Sequence, residues 1–189
     1  METTPDLAGM TVFVCANCAR PGKETSSANR TRSAVPDFNW PGKTQQIIVP
    51  CTGRLQPEHV LKAFEAGSSV VSVIACQDDN CHYIEGSRRC ALRVEYLRSI
   101  LKDIGLGEER LLLSYLPGSA SEDMAVAASG AASEYNPESL NVQVAAIRDS
   151  VIGVLRDLPP NPLQGTSPAE SEGNVPGQEW TFSEDDDDE

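Results

Sequence analysis

Three short apolar runs in this chain carry a cysteine at their carboxyl end: Thr11–Cys15 (TVFVC), Gln46–Cys51 (QIIVPC) and Val70–Cys76 (VVSVIAC). Runs of that length, rich in Val and Ile, are expected to be strands buried on both faces of a parallel sheet. Parallel strands set their carboxyl ends along one edge, with neighbours about 4.8 Å apart. Three strand-terminal thiols would therefore line one crevice, at the edge where open α/β sheets bind ligands. Cys18, in CANC, and Cys81, in CQDDNC, follow within a loop's reach.

The segments between the strands read as helices. Pro57 suits the first turn of a helix over 57–66, Val60 and Phe64 share its face, and Gly67 suits its C-terminal cap. Ser87 is placed to cap the next helix, where Cys90, Val94, Leu97, Leu101 and Ile104 form one stripe and Gly105 ends it. Leu111–Leu116 is a fourth strand candidate. Ser119 and Glu122 have capping-box spacing before an Ala-rich stretch. Asn136–Pro137 opens a last helix with Val144, Ile147, Val151, Val154 and Leu158 on one face, stopped by Pro159–Pro160. Between the first two strands only 26–35 carries a helical signal. Strands alternating with helices predict an α/β fold: an open parallel sheet of about four strands with flanking helices. The domain is expected over 10–158. From Pro159 onward Pro, Gly, Ser and acid dominate, which predicts a disordered acidic C-terminal tail over 159–189.

No stretch approaches the roughly 18 apolar residues of a membrane helix. Met1–Ala8 is acidic and has no apolar h-region, so membrane insertion and secretion are not expected. Six cysteines then point to metal or redox chemistry in a reducing cytoplasm rather than to disulfides. The net charge is −13, but six acids crowd Glu184–Glu189 and the rest carries −7. That sign disfavours nucleic acid, which wants a basic face, and favours docking to a basic partner surface.

Cys90 lies on its helix's apolar stripe and reads as core. For the other five cysteines three chemistries compete. Zinc suits Cys15-x2-Cys18 with Cys76-x4-Cys81 but leaves Cys51 idle. Thiol exchange would use CANC at a helix N-terminus, and Ala-Arg-Pro-Gly opens a helix poorly. Iron–sulfur ligation, with its larger footprint, suits thiolates from several strand ends. The two histidines are His59, which reads as a surface residue, and His82, placed to support a ligand sulfur or to sit plainly in a loop. Thr52-Gly53-Arg54 follows Cys51, so a glycine can turn amides toward anionic sulfur while Arg54 adds positive charge. Arg88 and Arg89 oppose the dipole of their helix, which a negatively charged group nearby would offset.

In order, CxxC after the first strand, CTGRLQPEHVLKAFEAG, ACQDDNCHYIEG and ALRVEYLRSILKDIGLGEERL resemble the delta subunit of methyl-viologen-reducing hydrogenase, from about Val12 to Glu122. The resemblance implies a flavodoxin-like protein carrying a [2Fe-2S] cluster on four of Cys15, Cys18, Cys51, Cys76 and Cys81. Arg54, His82, Tyr83, Glu85 and Gly86 match the flanking motif positions. It also implies electron transfer between a hydrogenase-like or formate dehydrogenase-like donor and a heterodisulfide-reductase-like flavin/iron–sulfur subunit. Relatives also serve ATP-independent benzoyl-CoA reductase complexes, so donor and acceptor stay open. A zinc-stapled interaction module is the rival reading. There are no paired carboxylates, no nucleophile–base arrangement and no phosphate loop, so catalysis by the chain itself is not expected.

Overall fold

Four strands run through the described residues: β-branched residues dominate β1 (Met10–Cys15), β2 (Thr44–Val49) and β3 (Val70–Cys76), and leucines dominate β4 (Leu111–Leu116). A computed structural model describes residues 9–18, 35–78, 81–118 and 137–164. The expected helix near 26–35, the Ala-rich stretch and residues 165–189 lie wholly or mostly outside the described residues. The strands form one parallel sheet in the order β2-β1-β3-β4, the flavodoxin-like arrangement in which strand order reverses between β1 and β3.

Among the described residues three α-helices flank the sheet: α1 (Pro57–Glu65), α2 (Gly86–Asp103) and α3 (Pro137–Asp157). Odd-numbered residues of β3 (Val71, Val73, Ala75) pack with Val60 and Phe64 of α1 and with Cys90, Val94, Leu97 and Leu101 of α2. Even-numbered ones (Val70, Ile74, Cys76) pack with Val144, Val151 and Leu155 of α3. The period-2 alternation of a strand thus divides the core into two layers.

Several expectations need correction. Only β1 and β3 are buried on both faces; β2 and β4 are the sheet's edges and stand half exposed. β2 stops at Val49, whose carbonyl still accepts the Ala16 N–H of the β1 side, and Cys51 instead precedes a 3-10 turn over Thr52–Arg54. Ser87 does not cap α2. It lies inside the first turn, and its hydroxyl donates to the carbonyl of Cys76, tying the helix to the end of β3. Ile104, expected on the buried stripe, is 63% exposed. Gly67 (φ 93) and Gly105 (φ 76) end their helices in the left-handed region, as their positions suggest.

The amino-terminal edge of the sheet is tied by two buried polar side chains. Arg110 donates to the carbonyls of Leu106, Ser69 and Pro159. Asn161 donates to those of Phe64 and Ser68. Composition alone assigns Asn161 to the tail, yet it is 2% exposed.

Candidate metal centre

Strand-order reversal leaves a crevice at the carboxyl ends of β1 and β3, and Cys15 and Cys76 are the last residues of those two strands. A turn closed by Cys18 N–H to the Cys15 carbonyl, at 3.0 Å, folds CANC back on itself and returns Cys18 to the same crevice. The Sγ atoms of Cys15, Cys18 and Cys76 lie within 4.8 Å of one another. Cys18 to Cys76 is 3.5 Å and Cys76 to Cys15 is 3.6 Å. All three are buried.

Tetrahedral sulfurs 2.3 Å from a metal stand about 3.8 Å apart. Three thiols already near that spacing could hold a metal with little rearrangement, and an all-sulfur donor set suits zinc or iron–sulfur rather than calcium or magnesium.

Cys51 and Cys81 complete the sulfur lining on the α2 side. A Cβ placed on Gly86 would lie 2.5 Å from Cys51 Sγ and 3.2 Å from Cys81 Sγ, so both sulfurs converge on that glycine. Gly53 and Gly86 also meet backbone to backbone: a Cβ on Gly53 would lie 2.6 Å from Gly86 Cα. Arg93 secures this contact from inside α2, its guanidinium donating to the carbonyls of Gly53 and Leu55. All five cysteines of the sequence argument therefore reach one edge.

The thiols share charge unevenly. Contacts from Cys18 and Cys76, and then the amides of Asn17 and Thr52, hold the Cys15 thiol well below its ordinary range. Its contacts with Cys15 and Cys76, reinforced by burial, push Cys18 far up, and the contact with Cys15 raises Cys76. Burial raises Cys51, partly offset by the Gly53 N–H that donates to its sulfur at 3.3 Å. The cluster thus favours one thiolate, at Cys15, with protonated neighbours. Binding a metal must displace those protons.

The remaining candidates sit further out. Arg54 is exposed on the rim beside Cys51. His82 is exposed too, edge-on to Tyr83 at 4.9 Å. Cys90 is buried among α1, α2 and sheet residues, on the layer away from Cys76. Sequence reasoning missed Asn17, whose side chain donates to the Pro50 carbonyl at 3.0 Å, and the bracing roles of Ser87 and Arg93. A polar residue inside CxxC was the one local signal for Asn17. His59, read as a surface residue, is half-buried and accepts the Gln56 N–H at 3.0 Å, capping α1.

Comparison with known proteins points the same way. Residues 10–135 match the family described as methyl-viologen-reducing hydrogenase, delta subunit. The vhc iron-sulfur subunit of the F420-non-reducing hydrogenase of Methanococcus voltae is 30% identical over 123 residues, covering 65% of this chain and 78% of that protein. The vhu iron-sulfur subunit of the F420-non-reducing hydrogenase of Methanopyrus kandleri is 35% identical over 89 residues, covering 47% and 67%. One component of the ferredoxin:CoB-CoM heterodisulfide reductase of Methanosarcina mazei is 30% identical over 110 residues, which is 58% of this chain and 13% of that protein. With well over half its length matched by the family and five of its six cysteines gathered at one sheet edge, the chain belongs to the methyl-viologen-reducing hydrogenase delta-subunit family.

Proposed function

We propose that this chain is an electron-transfer subunit whose cysteines hold a [2Fe-2S] cluster. Cys15, Cys18 and Cys76 would ligate it, with Cys51 or Cys81 completing the set. The observation that carries this reading is the buried thiol trio at the β1/β3 switch point, with Sγ separations of 3.5 and 3.6 Å. The relatives named as iron–sulfur subunits support it. When bound, such a cluster supplies one-electron reduction and oxidation.

The chain's own residues set the conditions for that chemistry. The amides of Asn17 and Thr52 point to Cys15 sulfur and that of Gly53 to Cys51 sulfur, which stabilises negative charge on both. Burial keeps water from the sulfurs, and Arg54 on the rim favours the more negative, reduced state. We infer that one partner is a heterodisulfide-reductase-like flavoprotein subunit, because a segment similar to this chain lies inside a much longer heterodisulfide reductase component. The other partner would be a hydrogenase-like or formate dehydrogenase-like donor, within a reducing cytoplasm. Among the described residues no helix is long and apolar enough to cross a membrane.

A zinc-stapled module is the second reading, favoured by the same trio, since three thiols at tetrahedral spacing also suit a single ion. Anaerobically purified protein decides between them through iron, zinc and acid-labile sulfide per chain and EPR after dithionite reduction. About two irons and two sulfides, with a signal in the reduced state, are expected. Zinc without sulfide would retire the electron-carrier reading.

A further inference from the structure

The loop between β3 and α2 presents two apolar side chains to water beside the cysteines. Tyr83 is 55% exposed and Ile84 is 74% exposed. Ile84 has φ 59, in the left-handed region that β-branched residues avoid. The fold therefore sustains backbone strain to hold an apolar side chain in solvent, a pattern found at ligand and partner sites.

Both side chains line a depression of about 620 Å³ whose lining also includes Cys51, Arg54 and Arg89. Among the described residues lining it, two guanidinium groups, Arg54 and Arg89, stand against one carboxylate, Glu85, which pairs with Arg89 at 2.9 Å and leaves the lining net positive through Arg54. Arg88 stands next to Arg89 in the first turn of α2. A chain of net charge −13 thus shows an arginine-bearing, apolar face at the edge where its sulfurs gather. A basic partner, which the overall charge would favour, meets like charge here. Carboxylates set around an apolar contact find complementary groups.

We propose that this face is the docking surface for an acidic electron-carrying protein, and that electrons leave or enter beside Cys51. This rests on the electron-transfer reading above. The test uses two one-electron protein oxidants of opposite charge, acidic plastocyanin and basic cytochrome c, mixed with the anaerobic, iron-loaded, dithionite-reduced protein in stopped flow. Each reaction moves one electron from the reduced protein to Cu(II) or haem Fe(III), giving Cu(I) or Fe(II), with no bond made or broken. Plastocyanin should react faster than cytochrome c, and its rate should fall as ionic strength rises. Arg89→Glu should slow plastocyanin about tenfold at low salt, a typical electrostatic steering effect. Ile84→Ser should slow it several-fold at every ionic strength, because it removes apolar contact rather than charge. Both residues are exposed, so neither change threatens folding. If cytochrome c reacts faster and both variants behave as wild type, the overall charge governs encounter and the docking surface is wrong. A chain that binds no iron and no sulfide would instead sink the electron-transfer reading, and this proposal with it.

Discussion

Gly86 shows how tightly single residues are placed around the sulfurs. At the first position of α2, alanine would ordinarily favour the helix over glycine by up to about 1 kcal/mol. Here its methyl group would lie 2.5 Å from Cys51 Sγ, so overpacking of about 1–3 kcal/mol opposes that gain. Gly86→Ala is expected to lower both the iron retained per chain and the unfolding midpoint; a more stable variant with full iron would mean the contact does not matter. Cys90 gives the opposite expectation. Burial pushes its thiol up to about 11 from the ordinary 9. An unfolded thiol ionises near pH 9 while the folded one keeps its proton, so the contribution is present below pH 9 and is lost between pH 9 and 11. That loss is about 2–3 kcal/mol. Cys90→Ala should cost only about 1 kcal/mol of packing at neutral pH, keep its iron, and flatten the decline in stability above pH 9. Urea titrations at pH 7 and 10 with iron assays check all three, and loss of iron in this variant would place Cys90 in the site.

At the scale of elements, two arginines clamp carbonyls at opposite ends of the sheet and should fail differently. Arg93 holds the Gly53 and Leu55 carbonyls of the turn after β2, beside Cys51. Arg110 holds three carbonyls at the far edge. Hydrogen bonds from a charged donor are worth about 1.5–3 kcal/mol each, and burial makes their loss costly. Arg110→Met should therefore lose about 4–5 kcal/mol in urea unfolding, the low end for three such bonds, while the folded protein keeps full iron. Arg93→Met should shed iron first, with a smaller loss of stability; equal iron loss in both would show that the edges are not independent. Much of this was legible beforehand. The Val/Ile runs gave β1 and β3, and their carboxyl-terminal cysteines gave the crevice, because strand period and strand polarity are local properties. What stayed hidden depends on contacts distant in sequence. That β2 is an edge strand follows from strand order, and that Ser87 ties down β3 follows from where α2 lands. The meeting of Gly53 with Gly86 joins residues far apart in the chain, and no spacing rule reaches it. Asn161 was lost to composition, since a Pro-rich stretch conceals one anchoring side chain.

Across the whole molecule the two sheet edges divide the labour: thiols and glycine contacts at the carboxyl ends of the strands, polar anchoring at the amino ends. This separation predicts where stability should respond to metal removal. Without metal, Cys15, Cys18 and Cys76 remain pressed together with one preferred thiolate, and nothing replaces the bonds a metal would supply. Their hydrogen bonds to one another are weak sulfur contacts. The loops that carry the sulfurs, 15–18, 50–55 and 81–86, should then open at much lower free energy than the core strands. The far edge should not change, because Arg110 and Asn161 bind backbone carbonyls and owe nothing to the sulfurs. Hydrogen exchange on iron-loaded protein and on protein stripped anaerobically with chelator makes the comparison. Lost protection is expected in those three loops and at the start of α2, with β1, β3 and the amides around Ser69 and Asn161 unchanged. Uniform loss across the sheet would show instead that the metal is part of the folding core and that the two edges form one cooperative unit.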